Sequence, residues 1–123
     1  MSKLNAFFVD TNFLINITQD NPLVHPFLDV AIFISYISEI ELLEVFSISK
    51  ELRINKQNLI GRCTLIEMNL DIKKITINLK QKYKLKLADA IIAATAIHLR
   101  LPFITSDADF KSIKELELIF LEK

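Results

Sequence analysis

The stretch "LKLADAIIAATAIHLRLPFITSDADF", residues 85–110, decides how the chain is read. Its first half is almost continuous Ala, Ile and Leu, yet Asp89 stands inside that run. Fourteen residues apolar nearly all round predict a buried helix from Ala88 to Leu101. "LPFIT" then predicts a strand, and Asp107 and Asp109 follow it directly. Asp89 falls in the first turn of the helix, where the helix dipole favours an acid. At i+4 and i+7 it is followed by Ala93 and Ala96, small residues that leave room above a carboxylate.

Outward from this stretch the same alternation continues. "NAFFV" predicts a short buried strand ending at Asp10, and "TNFLINI" a helix with Thr11 as N-cap. "DNPLVHPF", broken by Pro22 and Pro26, is loop or short helix, with His25 a loop residue. "VAIFIS" is a second strand. Ile40, Leu43 and Ser47 recur with helical spacing, predicting a helix from Ser38 to about Leu52, and a further helix spans roughly Lys56 to Leu70. "IKKITI" suggests a strand, "NLKQKYKLKL" a helix with an exposed basic face, and "LELIFL" a last strand. Buried strands alternating with helices imply an α/β fold, a parallel sheet covered on both faces.

Length and composition narrow the function. A chain of 123 residues, 51% hydrophobic, suits one domain spanning 1–123. No apolar run is long enough for a membrane span, and the N-terminus meets Asp10 too early for a signal peptide. The single cysteine, Cys63, excludes an internal disulfide and reads as a small core residue. Both features suggest the cytoplasm. One glycine, Gly61, excludes the glycine-rich phosphate loops of kinases, P-loop NTPases and dinucleotide enzymes. Fifteen basic and fifteen acidic residues cancel, which argues against binding nucleic acid by bulk charge.

In parallel sheets the ligand site lies at the carboxyl ends of the strands. Asp10 ends the first strand, Ser35 the second with Glu41 a turn beyond, and Asp107 follows "LPFIT"; Asp89 can share the same edge. Four acids gathered there could not all stay ionised without a cation, and hard oxygen ligands suit Mg²⁺ or Mn²⁺. Taken singly, each acid also has a structural reading. Asp10–Thr11–Asn12 makes a good helix cap, Ser38 to Glu41 fits the S-x-x-E capping box, and Asp107 can cap a turn starting near Asp109, itself a solvated loop or cap residue. His98 falls close to the far side of the helix from Asp89. Lys80, Lys82, Lys84 and Lys86 form two i,i+4 pairs, read as a solvated face with RNA contact as the alternative. Leu42, Val45 and Phe46 form an apolar stripe, core or subunit interface.

Together, "FFVDTNFLI", "ISYISEIELLE" and residues 85–110 resemble, in order and over nearly the full length, PIN-domain nucleases of the small VapC-like toxin type. The resemblance implies a three-layer α/β/α sandwich around a parallel sheet of four or five strands. It implies a metal site of Asp10, Glu41, Asp89 and Asp107, with Asp10 the first direct ligand. Thr11, Asn12, Ser38, Thr105 and Asp109 become candidates for supporting or phosphate hydrogen bonds. The implied reaction is hydrolysis of RNA phosphodiester bonds, with one or two Mg²⁺ neutralising developing charge. The implied partners are RNA, a cognate antitoxin laying an apolar helix in a groove with an Arg or Lys near the acids, and a second copy of the chain. Two family glycines are absent: Arg100 and Leu101 stand after the last long helix, and the glycine often found after the Glu helix is missing.

Other functions fit less well. A haloacid-dehalogenase-type phosphatase needs an Asp where Asn12 stands, and a response-regulator receiver needs a phosphoacceptor Asp that "IKKITIN" does not offer. A PIN nuclease of RNA processing or repair and a non-catalytic PIN interaction module are the alternatives.

Overall fold

In a computed structural model that describes residues 6–27 and 29–122, five strands form one sheet. They are β1 (Ala6–Val9), β2 (Ala31–Ser35), β3 (Thr64–Ile66), β4 (Phe103–Thr105) and β5 (Leu118–Phe120), ordered β3-β2-β1-β4-β5, and every pairing is parallel. Asn5, included in the first expected strand, lies outside the described residues. Parallel neighbours need crossovers, which are supplied by α1 (Thr11–Thr18), α2 (Tyr36–Leu43), α3 (Lys50–Gly61), α4 (Leu70–Lys82) and α5 (Leu87–Leu99).

Strand alternation sorts the core into two layers. Phe8 and Phe103 face one side with Ile72, Leu79 and the alanines of α5; Val9, Ile34 and Ile104 face the other with Phe13, Leu14, Leu42 and Leu59. The sheet is thus sandwiched between α4–α5 and α1–α3, the expected α/β/α arrangement. Residues Ala90 to Ala96 of α5 are all buried, as their apolar run requires.

Several local expectations are corrected. The helix expected from Ser38 to Leu52 is two helices, because the chain leaves α2 after Leu43, turns through Ser47 at φ 63°, and restarts where the Ser49 hydroxyl caps Leu52 N–H. The helix expected from Lys56 to Leu70 stops at Gly61, and the β-branched pair Thr64 and Ile66 brackets a short edge strand beside β2. "IKKITI" is helical, not a strand. Asn69 caps Ile72 N–H, and Ile72, Thr76 and Leu79 then bury one face at i, i+4, i+7. The basic helix ends at Lys82, so 83–86 is not helical and the two i,i+4 lysine pairs do not form. Asp10, not Thr11, caps α1, and Ser35, not Ser38, caps α2. The stripe divides: Leu42 is buried, whereas Val45 is exposed and Phe46 is 93% exposed. His25 lies in a 3-10 segment, Pro22–Phe27, and Cys63 is half-buried with its thiol on the Leu59 carbonyl.

Arg100 ends α5 in the left-handed region, φ 57° and ψ 38°, one of the places where the resemblance led to an expected glycine. A side chain there is strained by its Cβ against the backbone. Arg100→Gly is expected to raise the free energy of unfolding by about 0.5–1 kcal/mol. A higher urea midpoint with unchanged slope would establish it, and a lower one would mean that the Arg100 side chain contributes more than the strain costs.

Candidate active site

The sheet order reverses at β1. The chain steps from β1 to β2 to β3 on one side, then crosses to β4 and β5 on the other. The carboxyl ends of β1 and β4 flank this switch, where crevices open in parallel sheets. Asp10 leaves β1 here and is only 4% exposed. Burying a carboxylate requires hydrogen-bond donors. Phe13 N–H, in the first turn of α1, donates to Oδ1 at 3.0 Å, and the Thr105 hydroxyl donates to Oδ2 at 2.5 Å. Thr105 also accepts from the Asp107 N–H at 2.9 Å, which fixes the chain just past β4.

A second hydroxyl bridge joins α1 to α2. Thr11 Oγ1 donates to Glu41 Oε1 at 2.5 Å and lies 2.9 Å from the Ser38 hydroxyl, which is fully buried. Ser38 and Glu41 are one turn apart on α2, so one helix face supplies both. Asp89 enters from the first turn of α5. Asp107 caps a 3-10 turn, Ala108–Phe110, and its Oδ1 accepts the Asp109 N–H at 2.9 Å.

Asp10, Glu41, Asp89 and Asp107 line one cleft of about 290 Å³ together with Thr11 and Asn12. Ile15, Ile92 and Phe110 supply its apolar wall. Glu44 also lines it and was missed from sequence; its signal was the i+3 spacing from Glu41 on the same helix face. Ser38 and Thr105 are beneath the cleft and act through Thr11 and Asp10; Asp109 lines the neighbouring cavity with Asp89.

The electrostatics follow from burial and crowding. Desolvation pushes Asp10 from 3.8 to about 6; the hydrogen bonds from Thr105 and Phe13 pull it down, and Asp107 pushes it further up. Asp89 is also raised, first by burial and then by Asp107, Glu41 and Asp109, with Lys86 opposing. Among the described residues no basic side chain lines the cleft. Among the described residues no three acidic, His or Cys side chains already converge on one point as ligands of an ion do. The donor set is all hard oxygen around a shared cleft whose charges repel one another, which is the chemistry that a divalent cation relieves.

A profile of the PIN domain matches residues 7–116, and the chain belongs to the PIN-domain family. No curated protein sequence matches it significantly. Among solved structures, a toxin–antitoxin complex from Klebsiella pneumoniae is similar at TM-score 0.77 and 28% identity, over 92% of this chain and 95% of that one. VapBC-1 from nontypeable Haemophilus influenzae gives a TM-score of 0.78 at 22% identity, covering 94% and 97% of the two chains. DNA-bound VapBC from Salmonella typhimurium gives 0.82 at 18%, again over 94% and 97%. At those identities the last two establish the fold alone.

A carboxylate whose pKa is higher folded than unfolded binds its proton more tightly in the native state. Its stabilising share is complete below pH 3.8 and is lost as pH rises through about 6. The gap amounts to about 3 kcal/mol. Asn keeps the capping oxygen without the charge. In chelator, Asp10→Asn is therefore expected to match wild type near pH 4 and to exceed it by up to about 3 kcal/mol near pH 7.5. Urea unfolding at the two pH values measures this, and equal stabilities at pH 7.5 would refute the electrostatic account.

Proposed function

We propose that the chain is a single PIN domain, 1–123, acting as a Mg²⁺- or Mn²⁺-dependent endoribonuclease, the toxin of a cytoplasmic toxin–antitoxin pair. The observation that carries the reading is Asp10. It is a buried carboxylate held by Thr105 and Phe13 at the switch point, in one cleft with Glu41, Asp89 and Asp107. The assignment to a toxin draws on the likeness to the Klebsiella pneumoniae toxin–antitoxin complex.

In this reading Asp10, Glu41, Asp89 and Asp107 would together hold the cation. The cation supplies charge neutralisation at the phosphate being cut. The chain's own residues do the positioning. Thr105 and the α1 N-terminus fix the Asp10 carboxylate, Thr11 fixes Glu41, and Asn12 on the cleft wall is free to hydrogen-bond a phosphate oxygen. Thr11 holds one oxygen of Glu41, and the other would serve the cation.

The partner we propose is an antitoxin that lays an apolar helix beside the cleft and extends an Arg or Lys to the acids. Ile40, 51% exposed, and Phe46 are neighbours in sequence of the cleft residues Glu41 and Glu44, and such a helix could use them as an apolar seat. A homodimer is proposed as well. Leu42 is buried, so it cannot serve as an interface residue.

Asp10→Asn is expected to lose Mn²⁺-dependent cleavage of RNA by at least about a hundredfold while remaining folded. Expression of the wild-type chain alone should arrest growth, and the variant should not. Wild-type cleavage without growth arrest would favour a nuclease of RNA processing; retained cleavage in the folded variant would remove Asp10 from the chemistry. A wild type that neither cuts nor arrests growth would favour the interaction module.

A further inference from the structure

An anionic strand entering this cleft meets five carboxylates in its lining, and the chain's zero net charge gives it no long-range pull. Attraction has to come from cations at the rim. On the α2 side two are present but committed: Arg53 Nη1 donates to the Leu43 carbonyl and Lys56 Nζ to the Leu42 carbonyl, closing the end of α2. The α5 side differs.

The lysines at the end of α4 and in the segment before α5 divide into two pairs. Lys80 Nζ donates to the Leu85 carbonyl at 2.5 Å, and Lys82 pairs with Glu115 at 2.7 Å; both tie down the α4–α5 turn. Between the helices Tyr83 and Lys86 have extended backbone, φ −128° and −66° with ψ near 150°. Side chains alternate along such a segment. Leu85 goes inward and is buried, while Lys84 and Lys86 share the other side. Both line a cavity of about 390 Å³ whose wall includes Asp89, so it abuts the acidic cleft through a shared side chain. Asp109 and Ser112 complete its polar lining, which leaves the two lysines as the source of attraction for a phosphate. Among the described residues neither lysine has an ion-pair partner or a side-chain hydrogen bond.

We infer that Lys84 and Lys86 are substrate-positioning residues that grip the backbone of single-stranded RNA beside the phosphate to be cut, leading the strand out over the start of α5. This rests on the nuclease reading above. Lysine suits the task as a mobile point charge that holds phosphate without reading sequence. The effect of Lys86 on Asp89 is consistent with its nearness to the cleft.

The test is the pair Lys84→Ala and Lys86→Ala in the full-length chain, with Lys73→Ala and Lys74→Ala, exposed on α4, as a control of equal charge. Cleavage of a labelled single-stranded RNA oligonucleotide in Mn²⁺ is expected to show KM raised about tenfold with kcat within about twofold of wild type. Binding of the same oligonucleotide to Asp10→Asn protein is expected to lose about 1.4 from its log–log salt slope, two phosphate contacts' worth for a single strand. The Lys84→Arg and Lys86→Arg pair should restore both values, and the α4 control should change neither. An unchanged KM and slope, or equal losses in the control, would overturn the assignment. A wild type that binds the oligonucleotide without cutting it would overturn the nuclease reading instead, and the slopes would then decide the lysines alone. A wild type that neither binds nor cuts would overturn both.

Discussion

A carboxylate in the interior has to be given hydrogen bonds, and the rest of the site is arranged around how Asp10 gets them. One comes from its own helix, whose first turn would otherwise leave Phe13 N–H without a partner. The other comes from Thr105, 95 residues away, at the end of the neighbouring strand. That second bond constrains topology. β4 must lie beside β1 in parallel register, with Phe8 opposite Phe103 and Val9 opposite Ile104, for the hydroxyl to reach. Thr105 then holds Asp107 N–H as well, so one side chain sets both the orientation of Asp10 and the path that brings Asp107 to the cleft.

A similar device operates on the other side of β1, where Thr11 joins Ser38 and Glu41. The partners of Asp10 and Glu41 are hydroxyls and a backbone N–H, none of them charged. Neutral donors hold a carboxylate in place but leave its charge uncompensated. The cleft therefore has fixed geometry and unbalanced charge together, and the pKa values of Asp10 and Asp89 are raised first by burial and then by the neighbouring acids. An Arg or Lys in the place of either threonine would have stabilised the acids by pairing and left a cation little to do.

The strands that carry Asp10, Asp107 and Ser35 were legible because they are buried on both faces and read as continuous apolar runs closed by a polar residue. The α5 helix was legible for the same reason. The middle of the chain was not. "IKKITI" has the β-branched content of a strand, and only its packing on α5 through Ile72, Thr76 and Leu79 makes it helical. The break after α2 has no glycine to announce it; Ser47 takes the left-handed conformation itself. The candidate acids could be gathered in sequence by their positions after strands. The bond between Thr105 and Asp10 could not, because nothing local to either residue specifies its partner. Glu44 is marked in sequence only by its i+3 spacing from Glu41, which an ordinary solvated helix face would share.

The position of β4 has a consequence in time. The strand is among the last elements in the chain, yet it lies inside the sheet, between β1 and β5. A chain emerging from the ribosome can pair β1, β2 and β3 long before β4 exists, and such an intermediate exposes one edge of β1 and holds Asp10 without Thr105. Asp107 is absent for as long. A chain that ends before β4 thus lacks the assembled cleft, and synthesis itself imposes a delay between the first folded strands and the gathered acids. A partner able to recognise the α1–α3 layer would have that interval in which to bind before the acids meet.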